Sequence, residues 1–237
     1  MILKEHRDLL RGILNLLFPP RCVCCGRRDT WLCDDCGMNL PRITGPTCRV
    51  CGQPTKGTQV CSSCYTSPLR IQGIRAPYLF DGQMRKAIHK FKYKRARHLA
   101  EPLAQLLLEY LDANSIDFDA IVPVPLHEAR LAERGYNQSQ LLAVELGKAL
   151  NKAVFAECVK RTRPTQAQMS LPARKRFDNV RGAFQCTDKS LSGSRVLIID
   201  DVCTTGATLE ACAVALKRGG VSSAWGLCLA RAILDYR

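Results

Sequence analysis

Four Cys-x-x-Cys pairs, Cys22/Cys25, Cys33/Cys36, Cys48/Cys51 and Cys61/Cys64, constrain this chain more than anything else in its 237 residues. A two-residue gap lets both thiolates of a pair turn toward one ion. Four thiolates saturate a tetrahedral Zn2+ and leave no open position, so the expected role is structural. Eight ligands make two sites. Short separations within each half favour the grouping 22/25/33/36 and 48/51/61/64, with an interleaved cross-brace as the alternative, and tetrathiolate sites also accept iron–sulfur clusters. Cys24 is left over. Cys158, Cys186, Cys203, Cys212 and Cys228 are scattered through apolar sequence and read as small buried residues.

Dense cysteines also mark secreted disulfide scaffolds. Here the block from Cys22 to Cys64 holds an odd nine, and the opening MILKEHRDLLRGILNLLFPPR carries Glu5 and Asp8 and lacks a small-residue cleavage site. No apolar stretch is long enough to span a bilayer. The expectation is therefore a cytoplasmic, reducing home. Leu3, Leu10, Ile13, Leu14, Leu17 and Phe18 fall at helical spacing before Pro19-Pro20, which predicts an amphipathic helix over 1–20, docked on the rest of the chain. A metal module over 21–68 and a larger domain over 69–237 complete the expected organisation.

The formal charge of +14 counts every cysteine as neutral. Two tetrathiolate zinc sites would lower it to about +10. That still favours polyanions: phosphorylated metabolites, nucleic acid or a membrane surface.

Beyond the cysteines, apolar strands alternate with helices. Strands are predicted at 76–80, 120–124, 154–159, 196–200 and 224–229, and helices at 83–92, 99–112, 139–150 and 208–218. Short runs apolar on both faces argue for a parallel α/β sheet with helices on both sides. The stretch 161–181, rich in Arg, Gln and Pro, has no clean period and is expected to be a long functional loop.

The most specific segment is VLIIDDVCTTGAT, residues 196–208. An apolar strand ends in Asp200 and Asp201, and a hydroxyl-rich turn then enters a helix. Amides at the helix start, the helix dipole and the hydroxyls of Thr204, Thr205 and Thr208 can cradle a phosphate. Gly206 allows close approach of the backbone to the phosphate, Ala207 keeps the turn small, and the two aspartates can accept hydrogen bonds from ribose hydroxyls. Open α/β sheets bind ligands at such strand ends. Two further segments stand out. In VPVPLHEARLAERGYNQS (122–139), Arg130 and Arg134 are spaced to share a helix face that Gly135 ends, and Asn137 can cap the next helix. The second runs from Gln168 through Arg176 and Asn179 to Phe184. A third stretch, 85–97, interleaves seven fixed cations with Phe91 and Tyr93, the ingredients of single-strand binding. Lys90, Lys92 and Lys94 are its candidate phosphate contacts. Ile88 and Phe91, three apart, are equally compatible with a buried helix face.

The 196–208 segment resembles the phosphoribosyl pyrophosphate (PRPP) motif of type I phosphoribosyltransferases. With the cysteine pairs, the 122–139 segment and the 168–184 segment, nearly the whole chain resembles the ComF family (ComFC or GntX type). The resemblance implies a type I phosphoribosyltransferase-like sheet behind a double zinc ribbon, holding PRPP with Mg2+ at Asp200, Asp201 and Thr204 to Thr208. Arg130 and Arg134 would face the pyrophosphate, and Gln168, Arg176 and Asn179 would lie on a mobile loop. It also implies a part in natural transformation or DNA uptake, which favours single-stranded DNA as a partner; an alternative reading makes the zinc module a protein-protein adaptor to a competence helicase or other DNA-processing protein. Catalysis is left open: purine-base members often carry aspartate where Thr204 stands, and threonine cannot manage a proton on an incoming base.

Overall fold

The computed structural model describes residues 19–93, 96–165 and 173–233. The expected N-terminal helix, with Leu3 to Phe18, lies outside the described residues, as do Lys94 and Gln168.

The cysteine block folds as two copies of one plan. Each copy opens with a tight knuckle, in which the Gly26 amide donates to the Cys22 carbonyl and the Gly52 amide to the Cys48 carbonyl, both at 2.9 Å. Both glycines take positive φ, 80° and 72°, a region open to them because they lack a Cβ. A short helix then carries the second pair. Helix α1 (Asp34–Met38) starts just after Cys33 and α2 (Ser62–Thr66) just after Cys61. One cysteine of each pair is thus the N-cap and the other lies one turn on, which brings both thiolates to one side.

The remaining described chain is an α/β sandwich. In chain order it runs β1 (Gly73–Arg75), β2 (Tyr78–Leu79), α3 (Gly82–Tyr93), α4 (Ala100–Ala113), β3 (Ala120–Pro123), α5 (Glu128–Arg134) and α6 (Gln138–Leu150). It continues through β4 (Val159–Arg161), α7 (Ala173–Val180), β5 (Phe184–Cys186), β6 (Arg195–Cys203), α8 (Ala207–Arg218) and β7 (Ser223–Arg231). The main sheet is parallel in the order β1-β7-β6-β3, with β2 also on β7. Strand β6 shows why its run is apolar throughout. Leu197 and Ile199 face a core with α3, α4 and α6, and Val196 and Ile198 face a second core with α8, β4 and β5. Burial on both faces removes the alternation that a half-exposed strand would show. No helix among the described residues is long and apolar enough to cross a membrane.

The fold departs from the sequence expectations in three places. The strand expected over 76–80 begins earlier and is split, because Ala76 and Pro77 separate β1 from β2. The strand expected over 154–159 touches the sheet only where Val154 bridges Ile121. The paired strand there is instead β4, at 159–161, which runs antiparallel to β5 outside the main sheet. The loop expected over 161–181 contains α7, whose Phe177 and Val180 pack toward the core beside α8. Only two apolar anchors among the charges of ARKRFDNV hid that helix from a periodicity reading.

Candidate functional site

Strand β6 delivers both aspartates to the carboxyl end of the sheet, then turns into α8 through Thr204, Thr205 and Gly206. Thr204 and Thr205 are buried, and the Thr205 hydroxyl accepts from the Ala207 amide at 3.3 Å. Gly206 is the N-cap of α8 with φ 89°. A Cβ there would sit 2.7 Å from Ile74 Cδ1. The glycine is therefore required by its backbone conformation and by the core beneath the loop. The close approach expected from the sequence at this glycine is, on its Cβ side, that of Ile74.

The two aspartates differ. Asp200 Oδ1 accepts from the Ser139 hydroxyl and from the Asp201 amide, each at 2.9 Å. Burial first, and then the Asp201 charge, push its carboxyl up to about 7. Asp201 is 3% exposed. Its Oδ1 pairs with Lys92 Nζ at 2.8 Å, while Oδ2 is buried without a hydrogen-bond partner. Ser139 reaches Asp200 because Asn137 caps α6: its side-chain oxygen accepts from the Ser139 and Gln140 amides, and its Nδ2 donates to the Val124 carbonyl at 3.0 Å. The cap thereby ties the end of β3 to the acid pair.

Arg130 and Arg134 share α5, which Gly135 terminates at φ 77°. The Arg134 guanidinium donates to Gln138 Oε1 and lies 5.2 Å from the Tyr93 ring. Sequence reasoning had passed over Arg161. At the end of β4 its guanidinium lies over the Phe184 ring at 5.4 Å, and its Nε is buried without a hydrogen-bond partner. Burial, then the charge of Arg130, lower its pKa below the ordinary guanidinium value, while Asp200 acts in the opposite sense. Arg161 is thus within electrostatic reach of both. Arg176 is buried on α7, and Asn179 lies on the same helix.

The basic aromatic stretch is largely committed elsewhere. Phe91 is fully buried in the core, where it tilts against Tyr136, so it cannot stack on a base. Lys90 Nζ donates to the Val23 carbonyl at 2.8 Å and Lys92 holds Asp201. Tyr93 stays 56% exposed, with His89 5.0 Å away and Arg134 beside it.

The cysteines group sequentially, 22/25/33/36 and 48/51/61/64, each with all four sulfurs within 4.8 Å of one another. The Cys25–Cys33 and Cys51–Cys61 sulfur pairs are 3.7 Å apart. A tetrahedron with metal–sulfur bonds of about 2.3 Å has edges of about 3.8 Å. That spacing suits one ion per site; a multi-iron cluster would push its ligands further apart. Amides of Cys33 and Cys61 donate to Cys22 Sγ and Cys48 Sγ at 3.5 and 3.4 Å, bonds that orient the thiolates. Cys24 serves docking instead, with its thiol toward the Gln83 carbonyl at 3.8 Å.

Comparison with known proteins agrees with this layout. Residues 13–65 match the double zinc ribbon domain and residues 137–232 the phosphoribosyl transferase domain. The DNA utilization protein YhgH of Escherichia coli K12 is 33% identical over 208 residues, covering 85% of this chain and 91% of that protein. The chain belongs to the ComF family. Competence protein F of Haemophilus influenzae Rd is 30% identical over 217 residues, covering 88% and 84% of the two chains. Competence protein ComFC of Bacillus subtilis 168 is 28% identical over 214 residues, covering 86% and 85%. In this ComF protein the phosphoribosyltransferase-like domain and both tetracysteine sites are therefore present together, and the sites fit structural Zn2+.

Proposed function

We propose that this protein binds PRPP at Asp200, Asp201 and the turn Thr204 to Thr208, and that it acts in the cytoplasm in DNA uptake or use. The observation that carries this is the acid pair at the carboxyl end of the central strand β6, followed at once by a small hydroxyl-bearing turn into α8. The 5-phosphate takes the turn, and the ribose hydroxyls take the carboxylates, including the unpartnered Asp201 Oδ2. The only candidate metal clusters among the described residues are the two tetracysteines. Mg2+ therefore arrives on the ligand's pyrophosphate, keeping waters and needing few carboxylates. Arg130, Arg134 and Arg161 supply positive charge on the side where the pyrophosphate leaves. Gln168, Arg176 and Asn179 are assigned to the segment that covers the site.

Transfer of the phosphoribosyl group would proceed by positioning and charge stabilisation. Incubation with PRPP, Mg2+ and a panel of bases and amines separates transferase from sensor. Pyrophosphate release dependent on one acceptor makes the protein a transferase; bound PRPP with no release under any acceptor makes it a sensor. A folded, zinc-loaded chain whose melting temperature PRPP does not raise contradicts both.

A second activity, binding of single-stranded DNA, is favoured by one observation: an exposed Tyr93 flanked by Arg134 and His89. A ring beside a guanidinium and an imidazole suits an unpaired base and its phosphate. The base contact then falls on this cluster and not on Phe91, Lys90 and Lys92, which are engaged within the fold. The reading extends to a DNA-processing partner such as a helicase.

A further inference from the structure

The two tetracysteine sites dock on different parts of the α/β domain. The first faces α3 and α4: Cys24 meets the Gln83 carbonyl, Lys90 holds the Val23 carbonyl, and the Trp31 and His98 rings stack at 3.7 Å. The second lies directly under the turn 204–208. Two chains of contact run from its knuckle to that turn, and both start between Cys48 and Gln53.

The first chain of contact is polar. The Cys48 amide donates to the Gln53 carbonyl at 2.8 Å, so ligation at Cys48 fixes Gln53. Gln53 Oε1 accepts from Arg231 Nε at 2.8 Å, and Arg231 Nη1 donates to Cys203 Sγ at 2.9 Å. Cys203 is the last residue of β6, immediately before Thr204. Arg231 is only 2% exposed, and an arginine buried that deeply demands fixed partners. A zinc tetrathiolate carries two negative charges, which suit the guanidinium beside it.

The second chain is steric. The Ile74 amide donates to the Val50 carbonyl at 2.7 Å. Gly52 packs so closely on Ile74 that a Cβ would come within 2.5 Å of the Ile74 carbonyl oxygen. The other end of Ile74 fills the space where a Cβ on Gly206 would lie. Leu69 is shared, packing on the Cys48/Cys51/Cys64 cluster and within 3.9 Å of that same position. A displaced knuckle therefore moves Ile74 and Arg231, and with them both ends of the turn.

We infer that the metal site at Cys48, Cys51, Cys61 and Cys64 positions the turn 204–208 through Arg231 and Ile74, so that metal retention there and phosphate binding at the turn reinforce each other. Arg231 is a positioning residue, acting through Cys203. Among the described residues the first site reaches the acid pair through α3 and Lys92 but makes no contact with Cys203 to Thr208 themselves, so it serves as the internal control for exchange in that peptide.

Hydrogen exchange on the full-length, zinc-loaded chain tests this without any ligand. In Arg231→Met retaining two zinc ions, amides of the peptide 203–208 exchange roughly tenfold faster than in wild type, while those of α6 are unchanged. Cys61→Ser quickens the same peptide, and Cys33→Ser does not. Should a cysteine variant unfold, Arg231→Met with both ions still decides. A second arm rests on the reading of the turn as a phosphate site. Because coupling is reciprocal, PRPP with Mg2+ slows capture of one of the two zinc ions by a chromogenic chelator roughly threefold in wild type, and not in Arg231→Met. Exchange at 203–208 that is indifferent to Arg231→Met overturns the inference, as does zinc capture indifferent to PRPP that demonstrably binds. Failure of wild type to bind PRPP overturns the functional reading alone, and the exchange result still decides this one.

Discussion

Asp200 and Asp201 stand next to each other on β6 yet have different roles. Burial raises Asp200 to about 7, above its unfolded value of about 3.9. The folded state then holds a proton that the unfolded state has lost. Its contribution to stability is complete below about pH 4, falls as pH rises toward about 7, and is gone above that. Ligand binding has the opposite dependence if the ribose hydroxyls donate to the carboxylate. PRPP affinity is expected to rise between pH 6 and 8 in wild type, and Asp200→Asn should flatten that rise; calorimetric titration across pH measures both. The position of the acid pair at a buried strand end was legible in the sequence, because an apolar run leads directly into it. Lys92 was misassigned. A run of cations shows charge but not which cation turns inward, and Lys92 turns to Asp201. At Gly206 the positive φ and the packing of Ile74 on the Cβ side both require glycine, and the second constraint lies in tertiary contact that no motif shows.

Helix α3 shows how one element can mix readings. Its Met84, Ala87, Ile88 and Phe91 form the buried stripe, as a 3.6-residue period demands. The cations between them divide among the zinc module, the acid pair and solvent. DNA binding through this element should therefore depend on Tyr93. Tyr93→Ala is expected to weaken single-stranded DNA binding about tenfold, the value of roughly one lost base stack. Lys90→Ala should leave affinity nearly unchanged, because its ammonium already holds the Val23 carbonyl. Fluorescence anisotropy at two salt concentrations checks this, and equal losses in both variants would contradict the assignment. Elements with strong periods, α4, α6 and α8, were legible to within a residue or two. β4, β5 and α7 were not. Their pairing joins segments more than twenty residues apart, and α7 has only two apolar anchors, so the information lay in tertiary contact.

At the scale of the molecule, two metal modules and one α/β domain share a continuous set of contacts. The first tetracysteine site buttresses the helix that carries Lys92, and the second lies under the turn after β6. The presence of tetracysteine sites ahead of an α/β fold was legible because nine cysteines cluster before residue 65 and the apolar alternation starts only afterwards. The docking of the modules was not legible, since Gln53, Ile74 and Arg231 belong to no motif. So small a metal module depends on its ions for folding. Elemental analysis of protein purified without added metal is expected to return two zinc per chain, and less than one zinc, or iron in its place, would contradict the assignment. The account as a whole rests on PRPP binding at the end of β6. Titration calorimetry with PRPP and Mg2+ measures it most directly, on zinc-loaded wild type, Asp200→Asn and Thr208→Val, with circular dichroism to confirm that each is folded. One site per chain is expected in wild type. Each variant should be weaker by about tenfold or more, since a hydrogen bond to a charged group contributes about 1.5–3 kcal/mol. A folded wild type that gives no binding, or variants that bind as tightly as wild type, would contradict it.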